Sequence, residues 1–226
     1  MLLKVENVSK VFEQGEIQVQ ALKNVNVEID VSEFTTLVGP SGSGKTTLLN
    51  LIGAIDSVTE GKIIMNSRVY SEEKASALTQ FRLEHLGFIF QSYNLIPVFT
   101  AMENVEYVLE LQQVDKKERR ERARQVLADL DLSALESRFP REMSGGQQQR
   151  VAVARALVTK PPLVLADEPT ANLDTENAER LLSLMQKMNE KYETTFLFST
   201  HDERVKERAA RVISLRDGEV INDSRA

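Results

Sequence analysis

The sequence contains no cysteine and only two histidines. The absence of cysteine excludes disulfides and thiolate metal sites, and two histidines cannot form a histidine-rich metal site. No apolar run approaches the ~20 residues that a helix needs to cross a bilayer, and the first residues lack the pattern of a signal peptide. We therefore expect any role at a membrane to require a separate partner chain.

The chain also lacks an excess of positive charge, because its net charge is −6 and its pI is near 5.2. This net negative charge does not favour binding of DNA or RNA, so no nucleic-acid partner is expected. The overall charge does not exclude a local basic patch. Hydrophobic residues make up 42% and charged residues 27%, which is typical of a soluble globular protein. The 226 residues suffice for one large domain or for a domain with a subdomain.

A glycine-rich stretch of the form G-x-x-x-x-G-K-[ST] runs from Gly39 to Thr46. A β-prone apolar run precedes it and a helix-like segment follows, so backbone N–H groups and a helix N-terminus would surround an anion. Lys45 would neutralise the β- and γ-phosphates, and the Thr46 hydroxyl would ligate Mg²⁺. The alternative is an ordinary Gly/Ser loop. The predicted nucleotide-binding residues here are Gly39, Ser41, Gly42, Ser43, Gly44, Lys45, Thr46 and Thr47, the last without a separate role.

Polar residues follow three other predicted strands, at Gln91, at Asp167-Glu168 and at His201. Because ligands of an open α/β sheet bind beyond the carboxyl ends of its strands, we expect these residues to converge on the phosphate loop. Asp167 suits a metal site, reached through water, and Glu168 suits a general base or water-orienting residue. The alternative for this pair is a helix cap or a surface turn. Gln91 and His201 are weak signals alone, but together with the other sites they suit contacts to the γ-phosphate or to the attacking water.

The segment Ser144 to Gln147 is a second candidate anion site. Ser144 with Gln147 three residues later is a capping-box pattern, and two glycines would leave backbone N–H groups open at the positive end of a helix. One active site rarely needs two helix N-termini from distant parts of a chain for one γ-phosphate. A symmetric dimer resolves this, with each nucleotide between one subunit's phosphate loop and the other's Ser-Gly-Gly segment.

The alternation of strands and helices predicts an α/β fold with a parallel sheet. Leu2 to Val8 and Val19 to Ile29, the latter broken near Asn24, predict an antiparallel sheet beside the core. Phe12 is expected in a loop between them, either as a buried core aromatic or as a platform for a nucleotide base. The helical stretch from about 98 to 160 interrupts the α/β pattern and is expected to form a subdomain.

Ser92 to Thr100 is apolar and broken by proline, so it is neither a strand nor a helix. The residues leave two interpretations open, a loop tucked against the core or a groove that faces a partner. The following charge run, from 116 to 121, begins a helix predicted from Asp115 to Leu130 and indicates a solvated helix face.

In combination, these motifs resemble those of the ATP-binding subunit of ABC transporters, over essentially the whole chain. The resemblance implies a P-loop NTPase (RecA-like) core with an antiparallel β subdomain and an inserted helical subdomain, as one ABC ATP-binding domain over residues 1–226. The matching segments are Walker A (Gly39 to Thr46), the Q-loop (Gln91), the signature (Met143 to Gln147), Walker B with the catalytic glutamate (Leu163 to Glu168), the D-loop (Ala171 to Asp174) and the switch histidine (His201).

The resemblance also implies a mechanism for an ATPase that uses ATP and Mg²⁺. Two ATP molecules join two copies into a homodimer, Glu168 polarises water, and hydrolysis separates the copies. The implied site residues are, for catalysis, Glu168, His201, Gln91 and Lys45; for the metal, Thr46, Gln91 and Asp167; and, for the nucleotide beyond the phosphate loop, Phe12, Ser144, Gly145, Gly146, Gln147 and Asp174.

Within this family the sequence is most similar to the LolD, MacB and FtsE group, through the stretches 86–91, 95–105 and 166–174. That similarity implies a separate MacB/FtsX-type membrane permease, contacted through the Gln91–Val105 region, and a cytoplasmic location, peripheral on the inner face of the cell membrane. The implied processes are lipoprotein release, efflux or another envelope process. Phe12 replaces a usual tyrosine, Met143 a usual leucine and Ala171 a frequent glycine, and none of these removes a catalytic group.

Three other functions fit part of the pattern. An ABC ATPase acting on DNA or ribosomes is disfavoured, because the segment between the Walker motifs is too short for a long coiled coil and only one set of motifs is present. A GTPase or kinase with the same phosphate loop is disfavoured by the Ser-Gly-Gly-Gln segment. A nucleotide-gated regulator with little turnover is disfavoured by Glu168 and His201, and a rate measurement decides it.

Overall fold

The computed structural model describes residues 1–15 and 17–225. They divide into two compact units, the first formed by Met1–Arg82 together with Thr195 onward, and the second by Leu83–Thr194. The first unit holds most of the strands and the second holds the longest helices. Among the described residues, no helix combines the length and the apolar character that crossing a membrane requires.

The strands are, in chain order, β1 (Leu3–Gln14), β2 (Ile17–Ile29), β3 (Phe34–Val38), β4 (Glu60–Met65), β5 (Arg68–Val69), β6 (Leu86–Ile89), β7 (Leu163–Asp167), β8 (Thr195–Ser199), β9 (Arg211–Arg216) and β10 (Glu219–Arg225). The helices are α1 (Lys45–Ile52), α2 (Ala75–His85), α3 (Ala101–Leu111), α4 (Lys116–Asp129), α5 (Gly145–Leu157), α6 (Thr175–Tyr192) and α7 (Glu203–Arg208), with 3₁₀ turns at Ser133–Leu135 and Pro140–Glu142.

An antiparallel sheet with the strand order β2-β1-β4-β5 forms part of the first unit, as predicted. β1 lies between β2 and β4, and its residues Leu3 and Val5 are buried while the intervening Lys4 is half-buried. Lys4 forms an ion pair at 2.6 Å with Glu6, which lies on the same face of the strand. This alternation is what a sheet requires when one of its faces packs on a core.

Two predictions about this sheet were wrong. β2 is not broken near Asn24, because the chain absorbs the polar residues as a bulge, with Asn24 at φ 45° and a shift of register opposite β1. Phe12 does not lie in a loop, because β1 continues through this bulged region to its end and Phe12 pairs with Val19 of β2. The residues around Asn24 and Phe12 suggested that the strands are interrupted there. The pairing between β1 and β2 nevertheless extends both strands past these positions.

The remaining strands of the first unit carry the phosphate loop. β3 lies between β8 and β9 and runs parallel to both, and β10 returns antiparallel to β9. The Phe34 ring of β3 packs on Phe198 of β8 with centroids 4.5 Å apart. α1 follows β3 and ends at Ile52, whose carbonyl accepts a 2.7 Å hydrogen bond from the fully buried Tyr70 hydroxyl. The strand and the helix that flank the phosphate loop are therefore each fixed by contacts within the first unit.

The second unit combines a parallel strand pair, β6 and β7, with helices α3 to α6. α5 packs against β6 and against α3, α4 and α6. The predicted apolar stripe of α4 is buried, at Ala123, Val126 and Leu127. α3 begins at a capping box, in which Thr100 accepts from the Glu103 N–H and Glu103 accepts from the Thr100 N–H.

Three helices were not predicted individually. Phe81 is the only buried residue of α2, so the sequence shows too little apolar periodicity to predict this helix. α7 has six residues, which is less than two turns. α3 has a clear apolar face, but Pro97 and the irregular loop before it masked its start.

Two glutamates one turn apart on α3 have opposite environments. Burial raises the pKa of Glu106, which is 7% exposed, and the nearby Arg120 opposes that rise only in part. The hydrogen bond from the Thr100 N–H lowers the pKa of Glu103. For Glu106 the folded state holds its proton more tightly, so its contribution to stability falls as pH rises above about 4.5; for Glu103 the contribution is lost as pH falls through that region.

We expect Glu106→Gln to stabilise the protein at pH 7, on the order of 1 kcal/mol, because a neutral amide avoids the desolvation of a buried charge. The gain should shrink as the pH falls toward 4.5, because the wild-type carboxyl takes up a proton in the folded state more readily than in the unfolded chain. Urea unfolding between pH 4.5 and 8 measures this. The matched variant Glu103→Gln should show the opposite sign, losing stability at pH 7, and equal pH profiles for the two variants would contradict the assignment.

Candidate functional site

The phosphate loop is shaped by glycines that the surrounding backbone leaves no room to replace. Gly39 has φ +154°, and a Cβ there would lie 2.2 Å from the Leu215 carbonyl oxygen. Gly44, the N-cap of α1, has φ +101°, and a Cβ would lie 2.8 Å from the Ala21 carbonyl oxygen. A Gly218 N–H from the β9–β10 turn donates to the Ser43 carbonyl at 3.2 Å. The loop is thus held from outside by its neighbours in the first unit.

The inside of the loop is built for an anion. The N-cap residue of α1 is Gly44, which has no side chain to cap the helix, and the first turn has no acidic residue. Lys45 is 9% exposed, and its ammonium donates to the carbonyls of Gly39 at 2.9 Å and Pro40 at 3.1 Å. The buried Ser43 hydroxyl has no hydrogen-bond partner within the described part of the chain. A helix start without a side-chain cap at Gly44, a cation and an unpaired hydroxyl fit a phosphate group.

His201 lies beside this loop. A cavity of about 270 Å³ is lined by Gly39 together with His201, Asp202 and Lys206. Asp202 caps α7 and forms an ion pair with Arg204 at 2.7 Å, which fixes the turn that carries His201. The structure thus places His201, two residues after β8, next to Gly39, the residue after β3, as parallel neighbouring strands require.

Phe12 is 37% exposed on β1, so it is not the buried core aromatic that was one of its two interpretations. The Lys10 ammonium lies 4.9 Å from the centre of its ring. That ammonium is itself fixed by the Asp56 carboxylate at 2.8 Å and the Ser57 carbonyl at 2.7 Å. The cation therefore contributes to fixing the orientation of the partly exposed ring.

In the second unit, β7 ends at Asp167, and Glu168 begins a tight turn. Glu168 has φ +46°, which is uncommon for a residue with a side chain and marks strain that the surroundings must hold. Two successive turns follow, with the Ala171 N–H donating to the Glu168 carbonyl at 3.2 Å. Gln149 of α5 is fully buried and donates to the Pro169 carbonyl at 2.7 Å. These contacts fix the backbone at the end of β7, from which the Asp167 and Glu168 side chains project.

Gln91 lies two residues beyond the end of β6, exposed in a turn. Its carbonyl accepts a 3.0 Å hydrogen bond from the Asn172 side chain. The loop after β6 and the turns after β7 are therefore joined within this unit. Asp174 caps α6 by accepting from the Asn177 N–H at 2.9 Å and from the Asn177 amide at 2.7 Å, and these bonds lower its pKa. A contact of Asp174 with nucleotide stays a prediction.

The Ser144–Gln147 segment forms the predicted capping box at the start of α5. The Gln147 N–H donates to the Ser144 hydroxyl at 3.3 Å, and the Ser144 N–H donates to the Gln147 side chain at 2.8 Å. Both glycines are closely approached, because a Cβ at Gly145 would lie 2.8 Å from the Tyr93 hydroxyl and one at Gly146 would lie 2.8 Å from the Asn177 amide oxygen. Glycine at both positions therefore leaves room for the Tyr93 hydroxyl and the Asn177 amide at the start of α5.

The predicted metal residues lie in both units, Thr46 in the first and Gln91 and Asp167 in the second. Among the described residues, no group of three or more histidine, aspartate or glutamate side chains could hold a metal ion by itself. Mg²⁺ takes few protein ligands and keeps waters and phosphate oxygens around it, and side-chain oxygens such as those of hydroxyl and carboxylate groups are ligands that it accepts.

The chain matches the family model for ABC transporters over residues 22–171. It is 43% identical over 228 residues to the uncharacterized ABC transporter ATP-binding protein MJ0796 of Methanocaldococcus jannaschii, covering 99% of this chain and 97% of that relative. It is 40% identical over 228 residues to the lipoprotein-releasing system ATP-binding protein LolD of Francisella tularensis, covering 99% of both. The dimeric post-hydrolysis structure of MJ0796 bound to ADP and Pi superimposes with a TM-score of 0.91 at 42% identity, covering 99% of this chain and 98% of the other.

The chain belongs to the ABC transporter family. It is an ATP-binding subunit of such a transporter and an ATPase that uses ATP and Mg²⁺, and the predicted ABC ATPase fold and the similarity to the group that includes LolD are confirmed. The family match includes the phosphate loop, Gln91, the Ser144 segment and the Asp167-Glu168 pair, whereas Phe12, Asp174 and His201 lie outside its bounds. The roles of the individual site residues stay predictions.

Sequence reasoning missed Lys10, Gln149 and Asn172 as positioning side chains. Asn172 belongs to a quoted motif, so its place in the D-loop was a usable signal. Lys10 contacts Asp56, which is 46 residues away, and Gln149 contacts Pro169, which is 20 residues away. Contacts over such separations leave no local pattern in one sequence.

We expect Gly39→Ala to weaken ATP binding at least about tenfold, because the new Cβ meets the Leu215 carbonyl and the loop must shift to relieve the contact. Equilibrium titration with a fluorescent ATP analogue measures this. Gly15→Ala is the control, since Gly15 also has positive φ (+63°) but no atom of the described chain lies within 4 Å of a Cβ there. An unchanged affinity in Gly39→Ala would show that the loop tolerates the shift.

Proposed function

We propose that this subunit powers a separate MacB/FtsX-type membrane permease through ATP-driven formation of a homodimer. The observation that carries the proposal is that one chain has two glycine-containing helix starts suited to an anion, at α1 and at α5. A dimer uses both for each nucleotide, one from each copy. The relative MJ0796 has been solved as a dimer bound to ADP and Pi, which supports this arrangement.

The roles in this dimer follow from the chemistry of each group. Lys45 and the α1 amides bind the β- and γ-phosphates, and Thr46, Gln91 and Asp167 complete the surroundings of Mg²⁺. Glu168 orients and deprotonates the attacking water, and His201 contacts the γ-phosphate. The α5 start contributes Ser144, Gly145, Gly146 and Gln147 from the other copy, together with Asp174, and Phe12 stacks on the base.

The permease contact is assigned to the Gln91–Val105 region. Its loop is held in one shape by the fully buried Asn104, whose amide donates to the carbonyls of Ile96 at 3.1 Å and Phe99 at 3.1 Å and accepts from the Ile96 N–H at 2.8 Å. Val98 nevertheless remains 74% exposed. A rigid loop that presents an apolar side chain to solvent suits a protein partner.

The domain and its location follow from the same proposal. Residues 1–226 form one ABC ATP-binding domain with a helical subdomain at about 98–160, where α3, α4 and α5 lie. The subunit acts in the cytoplasm, peripheral on the inner face of the cell membrane, and is held there by its permease. LolD, as the ATP-binding protein of a lipoprotein-releasing system, supports lipoprotein release as one candidate process.

We expect Glu168→Gln to lower ATP hydrolysis at least about 100-fold, since the amide cannot act as a base. The variant should accumulate as an ATP-bound dimer with twice the monomer mass by light scattering. Glu176→Gln, in the first turn of α6, is the control and should hydrolyse ATP normally. A Glu168→Gln protein that stays monomeric at saturating Mg-ATP would refute the dimer.

We expect Val98→Asp to reduce co-purification with a MacB/FtsX-type permease about tenfold or more, because a charge replaces an apolar contact at the proposed interface. ATP hydrolysis by the isolated subunit should be unchanged. Val31→Asp is the matched control, since Val31 is 63% exposed on the other unit. Pull-down from detergent-solubilised membranes with mass spectrometry gives the readout, and equal recovery with both variants would place the contact elsewhere.

A further inference from the structure

The loop that follows Gln91 contains two consecutive residues in the left-handed region. Tyr93 has φ +59° and Asn94 has φ +49°. Such conformations cost free energy for residues with side chains, so other contacts must maintain them. The local hydrogen bonds are short-range, with the Tyr93 N–H donating to the Phe90 carbonyl at 3.2 Å and the Asn94 N–H donating to the Ser92 carbonyl at 2.6 Å.

A single arginine from α5 holds both strained residues. The Arg155 guanidinium donates to the Asn94 carbonyl at 2.5 Å and to the Tyr93 carbonyl at 3.0 Å. Burial lowers the pKa of this group, and within the part of the chain that the structure describes no carboxylate pairs with Arg155. Both arms of this planar cation therefore bind the loop rather than an acidic side chain.

The strained turn directs Tyr93 toward the start of the same helix. Its hydroxyl lies where it would be 2.8 Å from a Cβ at Gly145, the first residue of α5. Burial raises the pKa of that hydroxyl, so it stays protonated at neutral pH. Arg155 and Gly145 lie near opposite ends of α5, and the loop touches the helix at both places.

We propose that Arg155 and Tyr93 are positioning residues that link the loop after Gln91 to the Ser144–Gly146 turn. Arg155 fixes the backbone of the loop, and Tyr93 transmits the position of that backbone to Gly145. A partner that moves the loop thereby moves the turn that offers its amides to nucleotide. This inference rests on the proposed homodimer, in which that turn completes the ATP site of the other copy.

The inference predicts a specific kinetic signature. ATP binds first to the phosphate loop, whereas Arg155 and Tyr93 act on the loop after Gln91 and on the start of α5, so the KM for Mg-ATP should be unchanged. The dimer is completed by the Ser144–Gly146 turn, so a loosened turn weakens dimer formation. Arg155→Gln should raise the protein concentration that gives half-maximal ATP hydrolysis about tenfold, and Tyr93→Phe a few-fold. Arg155→Lys, with one cationic head in place of a fork, should recover part of the loss.

Amide hydrogen exchange separates positioning from a general loss of stability. In Arg155→Gln, exchange should quicken at residues 91–100 and at the first turn of α5, while the middle of α5 and the urea midpoint stay as in the wild type. Arg124→Gln and Tyr107→Phe are matched controls, since the exposed Arg124 forms an ion pair with Glu136 at 3.4 Å and Tyr107 is 38% exposed. Both should behave as the wild type.

Failure of the homodimer and failure of the linkage give different results. If the wild type shows activity strictly proportional to concentration and Glu168→Gln does not dimerise, the homodimer itself is wrong. If the Glu168→Gln dimer forms with ATP but Arg155→Gln and Tyr93→Phe leave its formation within twofold of normal, the linkage alone is wrong. Uniformly faster exchange throughout α5 in Arg155→Gln would also overturn it, because the arginine would then act only on helix stability.

Discussion

A helix that begins inside a protein must find partners for its first backbone N–H groups, and this chain meets that constraint in different ways at two helices. α5 meets it in part with its own side chains, because the Ser144 hydroxyl and the Gln147 side chain form a capping box. α1 begins at Gly44, which has no side chain to act as a cap, and the Lys45 ammonium adds a positive charge at this helix start. An anion suits such a helix start. The Leu215 carbonyl and the Gly218 N–H around the loop keep it in the shape that receives one.

Much of this organisation could be predicted from sequence, because it depends on local patterns. The strand before Gly39, the helix after it and the capping box at Ser144 are each encoded within a few residues. The strand predicted before Asp167 is β7, which is buried over Leu163 to Ala166 and pairs in parallel with β6. The order of the motifs along the chain predicted the ABC transporter family, and the match to the family model confirms it.

The remainder depends on contacts between distant residues, which a single sequence does not reveal. Phe12 was placed in a loop because nothing near it shows that β1 continues to a hairpin with Val19. The left-handed conformation of Glu168 follows from the turns after β7 rather than from its own preference. Arg155 looks like any polar residue of an amphipathic helix, and its bonds to Tyr93 and Asn94 join residues that are 62 and 61 positions apart.

Asn104 has a consequence for how such subunits diversify. Its single side chain replaces the missing secondary structure of the loop before α3, by bonding to Ile96, Phe99 and Thr100. Each of those bonds fixes a spacing along the chain, so one inserted or deleted residue between Ile96 and Asn104 would break several at once. We therefore expect binding to a new partner to arise by substitution of exposed side chains such as Val98. Insertions and deletions in this loop should be much less tolerated.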